Sequence, residues 1–182
     1  MPTPAPLLIL VSGPPGAGKT TLANTLAERL TLPLLSIDTL KASIARGLDP
    51  AEHGRGGAAG QRAFALTRGL AECCLDAGAS LILEKAWQRG RSEADLLPLL
   101  ARARGLQVHV TAAQDVAVAR GLARPARAGL VDMADVQRDM DAGRLDWESF
   151  APLELDIPLV IVRTDEGTVD VDGLIRDYID VL

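Results

Sequence analysis

The sequence SGPPGAGKTT, residues 12–21, follows directly on the apolar run LLILV, residues 7–11. Ten residues that include three glycines and two prolines cannot form a regular strand or helix throughout. A short, continuous apolar run is typical of a buried strand in a parallel sheet. The sequence therefore predicts a shaped loop at the carboxyl end of a buried strand.

The loop has the spacing of a phosphate-binding loop. Gly13, Gly18, Lys19 and Thr20 match the pattern G-x-x-x-x-G-K-[ST] at every fixed position. Glycines let successive N–H groups point inward around phosphate oxygens, the lysine adds a positive charge, and the threonine hydroxyl can bind Mg²⁺. The residues predicted to contact the nucleotide are Gly13, Pro14, Pro15, Gly16, Ala17, Gly18, Lys19, Thr20 and Thr21.

The sequence after the loop supports the same interpretation. Leu22, Leu26 and Leu30 form one stripe of a helix predicted from Lys19 to Leu30. The N-terminus of such a helix directs free N–H groups and its positive dipole end at a bound phosphate. An apolar strand before the loop and an amphipathic helix after it predict a site for ATP or GTP with Mg²⁺, rather than an ordinary glycine-rich turn.

Composition limits the class of protein. The 182 residues, 48% of them hydrophobic, are enough for one domain over residues 1–182 with a sizeable core. The net charge of −5 argues against a nucleic-acid partner, because no basic block offsets it. Cys73 and Cys74 are adjacent and cannot readily form a disulfide with each other, so we expect both to be small hydrophobic side chains that are buried or half-buried. The first residues lack the basic start and long apolar run of a signal or membrane span, which favours a cytoplasmic protein.

Alternating apolar runs and helical patterns predict an α/β protein. The apolar runs are residues 7–11, 32–37, 80–84, 106–112 and 158–164. Helical patterns cover residues 19–30, 58–77 and 93–104, the last of these ending at Gly105, and a further helix begins at about residue 115. Residues 134–150 are predicted to form a surface helix and turn, and Asp170 is predicted to cap the last helix. Continuous apolar strands between helices predict a parallel sheet covered on both faces, with ligands bound beyond the carboxyl ends of the strands.

Two acids follow predicted strands at that edge. Asp38 comes directly after the second strand, where it can accept a proton from an acceptor hydroxyl beside the γ-phosphate, or simply cap the next helix. Glu84 ends the third strand, where it can order Mg²⁺ or its water, or pair with Lys85. The usual residue at this metal position is Asp, so Glu84 departs from the pattern.

Basic and aromatic residues supply further candidates. Arg120 and Arg124 are four residues apart on one helix face, where they can close over the transferring phosphoryl group or form a solvated basic face. Arg127 follows them. Trp87, Arg89 and Arg91 are candidates for an acceptor pocket. His53, near the glycine-rich residues 54–60, is predicted to be a surface residue, and His109 is predicted to be a strand residue with a satisfied ring.

The chain resembles the small P-loop kinases of the adenylate-kinase-like superfamily, and most of all the zeta-toxin, chloramphenicol phosphotransferase and polynucleotide kinase group. GPPGAGKTT, SIDTL and the Arg120/Arg124 pair carry this resemblance, although only the first motif is highly specific. The resemblance implies a three-layer P-loop fold with strand order 2-3-1-4-5 and a base at Asp38. It also implies that the loop over residues 164–167 lies beside the adenine.

These observations predict a phosphotransferase that uses ATP and Mg²⁺ and acts on a hydroxyl of a small molecule. A nucleotide-dependent regulatory ATPase and a kinase for nucleic-acid ends are the alternatives. The first would need a sensor region and an oligomerisation domain that 182 residues hardly hold. The second would need a basic groove. The expected state is a monomer or homodimer, without a membrane partner, and the acceptor is not identified by the sequence.

Overall fold

A computed structural model describes residues 5–47, 58–124 and 133–181. One five-stranded sheet, in which every strand pairing is parallel, runs through the described residues in the order β2-β3-β1-β4-β5, as predicted. The strands are β1 (Leu7–Ser12), β2 (Leu34–Ser36), β3 (Leu81–Glu84), β4 (Arg104–Thr111) and β5 (Leu159–Arg163). The predicted α/β fold is confirmed.

Helices cover both faces of the sheet. They are α1 (Lys19–Leu30), α2 (Ile37–Ala45), α3 (Ala58–Asp76), α4 (Glu93–Leu100), α5 (Gln114–Leu122), α6 (Met133–Asp141) and α7 (Val171–Leu174). A 3₁₀ turn, Trp147–Phe150, follows α6, and a π-helical turn, Ile175–Ile179, continues α7. Asp170 caps α7 by accepting a hydrogen bond from the Gly173 N–H, as predicted.

The central strand divides the core into two layers. Every residue of β1 is buried. Ile9 and Val11 belong to one hydrophobic cluster with α1 and the C-terminal helix, whereas Leu8 and Leu10 belong to a second cluster with α3 and α4. Such continuous burial on both faces explains why residues 7–11 of this strand are all apolar.

Helix α4 is shorter than predicted. It ends at Leu100, despite a helical pattern that continues to residue 104, and Gly105 lies inside β4 rather than at a helix end. A β-carbon on Gly105 would lie 2.6 Å from Leu100 Cδ2 and 2.8 Å from Ile157 Cγ2. The glycine is thus required for close packing of the strand beneath the end of α4. Pro98 is accommodated within α4.

Strand β5 departs from the prediction that both faces of the sheet are covered. Its residues alternate in burial, so Leu159 is 44% and Ile161 is 57% exposed, while Val160 and Val162 are buried. Since β5 pairs only with β4 among the described residues, it forms one edge of the sheet. The segment predicted over residues 134–150 as a surface helix and turn buries one side of α6 and of the 3₁₀ turn in a third, small cluster.

The two cysteines differ in exposure. Cys74 is half-buried as expected, but Cys73 is exposed, so the prediction of burial is wrong for Cys73. His53, Gly54, Gly56, Gly57 and Arg127 lie outside the described residues. Across the described ranges, no helix combines the length and the apolar composition that crossing a bilayer requires.

Candidate active site

Glycines fix the loop between β1 and α1 against its neighbours. Gly13 and Gly16 have φ angles of 128° and 80°. A β-carbon at these positions would lie 1.9 Å from Val110 O and 2.0 Å from Ala117 O. Backbone atoms of β4 and α5 leave no room there for a side chain. The loop backbone is therefore seated directly on β4 and α5.

Lys19 is the first residue of α1, and its side chain reaches back to this loop. Its side chain is buried, and Nζ donates a hydrogen bond to the Pro14 carbonyl oxygen at 2.8 Å. Burial lowers the pKa of Lys19, an effect that the negative charges of Glu84 and Asp38 oppose. The ammonium thus lies at the centre of the loop, with two carboxylates in its electrostatic neighbourhood.

Glu84 is a buried acid at the end of β3, with 1% of its surface exposed. Its carboxylate accepts hydrogen bonds from Thr20 Oγ1 at 3.3 Å and from Ser36 Oγ at 2.7 Å. Burial raises the pKa of Glu84, and the Lys19 ammonium and these hydrogen bonds only partly offset the effect. The carboxylate faces the phosphate-binding loop rather than pairing with Lys85, so the alternative of a Glu84–Lys85 ion pair is wrong.

Asp38 lies in the first turn of α2, at the carboxyl end of β2. The helix begins at Ile37, and Ser36 caps it by accepting a hydrogen bond from the Thr39 N–H, so the alternative that Asp38 caps this helix is wrong. The Asp38 charge acts on Lys19, Glu84 and also Lys85. The ends of β1, β2 and β3 therefore bring Asp38 and Glu84 to the same region as the loop lysine.

Lys85 follows Glu84 directly, but its side chain contacts aromatic rings rather than the phosphate-binding loop. Its Nζ lies 4.8 Å from the ring centroid of Phe64 and 4.8 Å from that of Trp87, which contact each other edge to face. Burial lowers the pKa of Lys85, while the carboxylates of Asp38 and Asp95 oppose this shift. This half-buried cation lies within the electrostatic influence of the candidate base Asp38.

The two arginines of α5 have different surroundings. Arg120 donates from Nη1 to Thr164 Oγ1 at 2.9 Å and from Nη2 to the Thr164 carbonyl at 3.1 Å. Thr164 Oγ1 also donates to the Ala17 carbonyl of the loop at 2.9 Å. Arg124 lies close enough for its charge to lower the pKa of Lys19 further. Contact of either arginine with a transferring phosphoryl group stays a prediction.

A buried polar group lies beneath the start of the loop. Ser12 Oγ and His109 Nδ1 form a hydrogen bond at 3.1 Å between paired positions of β1 and β4. Gln107 lies 3.3 Å from the same hydroxyl, and its amide pairs with the backbone of Leu153. Burial, followed by the charge of Lys19, lowers the pKa of His109 to about 4. His109 is thus a neutral strand residue with a satisfied ring, as predicted.

Of the three residues predicted to line an acceptor pocket, Trp87 is too buried to contact an acceptor. Trp87 is 1% exposed, and its indole N–H has no hydrogen-bond partner in the described part of the chain. Arg89 and Arg91 are exposed, and the Arg89 N–H donates to the Ser149 carbonyl at 2.7 Å. Trp87 therefore belongs to the wall behind the cleft, and an acceptor role for the two arginines stays a prediction.

The residues present suit a magnesium nucleotide. Mg²⁺ prefers oxygen ligands and is commonly held by one or two carboxylates together with substrate phosphates and water. The Thr20 hydroxyl and the Glu84 carboxylate, already hydrogen-bonded to each other, supply such a donor pair beside Lys19. The described residues contain no cluster of three or more His, Cys, Asp or Glu side chains suited to a metal.

Three residues of the site were not predicted in these roles. Ser36 donates to Glu84, Lys85 lies on two aromatic rings, and Thr164 joins the loop to Arg120. Ser36 precedes the predicted helix, and a serine at that position is a recognisable N-cap signal. No sequence signal identifies the contacts of Lys85 with Phe64 or of Thr164 with Ala17 and Arg120, since each joins residues that are 21 or more positions apart.

Comparisons with known proteins identify the family. Residues 8–144 match the AAA domain family AAA_33. A provisionally named kinase from Chloroflexus aurantiacus J-10-fl is 31% identical, with a TM-score of 0.81 and coverage of 98% of this chain and 99% of that chain. No curated protein sequence matches the chain significantly.

More distant structures share the fold. The APS kinase CysC of Mycobacterium tuberculosis, solved in complex with AMPPNP and APS, is 16% identical, with a TM-score of 0.61 and 98% coverage of both chains. A sugar kinase from Janibacter sp. HTCC2649 is 21% identical, with a TM-score of 0.55 and coverage of 98% and 94%. The nearer relationship to zeta-toxin, chloramphenicol phosphotransferase and polynucleotide kinase stays a prediction. With three quarters of its length matched to one family and this fold throughout, the chain belongs to the AAA_33 family of AAA domains.

Proposed function

We propose that the chain is a phosphotransferase that moves the γ-phosphoryl group of ATP to a hydroxyl of a small molecule. The observation that carries this proposal is the arrangement of Lys19, Glu84 and Asp38 at the carboxyl ends of three adjacent strands. It brings together a phosphate-binding loop, a carboxylate suited to a metal ion and a second carboxylate suited to the acceptor. Kinase names among the structural relatives point the same way.

Each residue has a distinct part in this proposal. Lys19 and the loop N–H groups hold the phosphates, and Thr20 with Glu84 would hold Mg²⁺, which supplies charge neutralisation on the phosphate oxygens. The acceptor oxygen forms the new bond to the γ-phosphorus. The bond from that phosphorus to the β,γ-bridging oxygen breaks, ADP leaves with the electron pair, and the acceptor proton passes to the Asp38 carboxylate. Arg124 would stabilise the developing charge.

Acceptor-stimulated consumption of ATP tests this proposal. ADP formation is measured for the purified chain with Mg²⁺, first alone and then with pools of hydroxylated small molecules, and any stimulated pool is analysed by mass spectrometry for a phosphorylated component. We expect little ADP without an acceptor and a stoichiometric phosphorylated product with one. Fast hydrolysis that no acceptor changes would contradict the proposal and favour a regulatory ATPase. Stimulation only by oligonucleotide ends would favour the nucleic-acid kinase.

A further inference from the structure

The surroundings of Lys85 carry information about the acceptor. The Nζ atom lies over the rings of Phe64 and Trp87, at 4.8 Å from each centroid. Cation–π contacts hold the ammonium in place, and the aromatic side chains belong to α3 and to the segment after β3. The position of the charge is thus set before any ligand arrives.

This ammonium has no anionic partner among the residues that the structure describes. No carboxylate of residues 5–47, 58–124 or 133–181 lies within ion-pair distance of its Nζ, and ring contacts are its side-chain interactions there. Asp38 and Asp95 act on it only as more distant charges. A half-buried cation loses part of its hydration without a compensating hydrogen bond, and this cost is recovered when an anion binds.

Lys85 and the candidate base Asp38 both follow the paired ends of β2 and β3. Ser36 and Glu84 are paired across β2 and β3. Asp38 follows Ser36 by two positions, and Lys85 follows Glu84 by one. An acceptor whose hydroxyl meets Asp38 therefore extends beside Lys85. A second group of the acceptor, next to the reacting hydroxyl, is within reach of the ammonium.

We propose that the acceptor is a hydroxylated anion whose carboxylate, sulfate or phosphate group binds the Lys85 ammonium. The proposal rests on the proposed phosphotransferase function and adds the charge class of its substrate. In this arrangement the Asp38 carboxylate accepts the proton of the acceptor hydroxyl, and the Lys85 ammonium binds the anionic group of the same molecule. A neutral polyol of the same size leaves the ammonium unpaired and binds more weakly.

The competing explanation gives Lys85 a structural role only, as a cation packed on two rings. Lys85→Met separates the two explanations, since methionine keeps an unbranched chain on the rings and removes only the charge. Lys85→Arg retains the charge. Arg176→Met, which removes an exposed charge from the C-terminal helix, is the matched control. Lys85→Gln replaces the methionine variant if that protein does not fold.

The experiment measures binding to the chain already saturated with AMPPNP and Mg²⁺, so that anions cannot enter the phosphate-binding loop. Thermal shifts are compared within matched pairs: gluconate against glucose, glycerate against glycerol, and ribose 5-phosphate against ribose. We expect at least one anion to stabilise the wild type and the Arg176→Met variant more than its neutral partner does. The affinity for that anion should fall about 10- to 100-fold in Lys85→Met and be largely kept in Lys85→Arg.

The outcomes distinguish the two proposals. No preference for any anion, or an anion preference that persists in Lys85→Met, overturns the inference about the acceptor. Absence of stabilisation by AMPPNP itself, before any acceptor is added, instead contradicts the proposed phosphotransferase function. Turnover of the preferred anion with ATP, with its KM raised and kcat little changed in Lys85→Met, supports both.

Discussion

Ser36 donates a hydrogen bond to Glu84 at 2.7 Å and so joins the end of β2 to the end of β3 beside the phosphate-binding loop. The same carboxylate accepts from Thr20 of the loop at 3.3 Å. These two contacts hold the Glu84 carboxylate beside Thr20, with which it is proposed to bind a metal ion. In the same proposal Asp38, two residues after Ser36, is the carboxylate that serves the acceptor.

Replacing Glu84 tests the metal assignment. Glu84→Gln should raise the Mg²⁺ concentration needed for half-maximal rate, because it removes the negative charge beside Thr20. It should also stabilise the ligand-free chain. Burial raises the pKa of Glu84 in the folded state, so its contribution to stability is present at low pH and is lost as pH rises through the folded pKa. The gain in melting temperature should thus appear at neutral pH and vanish in acid. An unchanged Mg²⁺ dependence would contradict the assignment.

Lys19 should be essential for nucleotide binding. A nucleotide at about 100 times its dissociation constant stabilises the protein that binds it by roughly 2.7 kcal/mol. Lys19→Ala should lose this gain, because the ammonium at the centre of the loop is removed. Thermal unfolding with and without ATP and Mg²⁺ checks the result, with Arg176→Ala as a control on an exposed cation. A wild-type protein that neither ATP nor GTP stabilises would count against the whole account.

Arg124 should contribute to the rate more than to nucleotide binding. Arg124→Ala is expected to lower kcat by about 10²–10³-fold, because a donor to the developing phosphoryl charge is lost. Arg124→Lys should restore the rate only partly, since a point charge lacks the planar fork of donors. Arg120→Ala is the comparison, and its smaller expected effect on kcat follows from the engagement of that guanidinium by Thr164. Equal kcat values in wild type and Arg124→Ala would favour the alternative, in which Arg124 belongs to a solvated basic face.

His109 should make the stability of the chain depend on pH. Its folded pKa of about 4 lies below the ordinary 6.5, so the unfolded chain binds the additional proton between these values. Stability should therefore rise with pH from about 4 to 6.5, by on the order of 3 kcal/mol for this one group. His109→Gln should flatten that part of the profile, as measured by urea unfolding at several pH values. A profile that keeps its slope in the variant would assign the dependence to other groups.

The sequence predicts most of this arrangement because its strongest signals are local. A phosphate-binding loop is encoded by consecutive residues, and acids that directly follow apolar runs must lie at the carboxyl edge of a parallel sheet. The contacts of Thr164 with Ala17 and Arg120 depend instead on how distant segments meet. The prediction that Gly105 ends a helix is wrong for a related reason. A glycine that is required for packing inside a strand cannot be distinguished from a helix C-terminal signal when only its sequence neighbours are known.

The division of labour between two acids is the central claim, and Asp38→Asn tests it most directly. The substitution keeps the shape of the side chain and removes its capacity to accept a proton. The measurement is the single-turnover rate of phosphoryl transfer at saturating ATP and acceptor, over a range of Mg²⁺ concentrations, for Asp38→Asn and Glu84→Gln in parallel. We predict that Asp38→Asn lowers the rate by roughly 10²–10⁴-fold at every Mg²⁺ concentration, with nucleotide affinity nearly unchanged. An active Asp38→Asn variant, together with a Glu84→Gln variant that is inactive at all Mg²⁺ concentrations, would contradict the claim and make Glu84 the base.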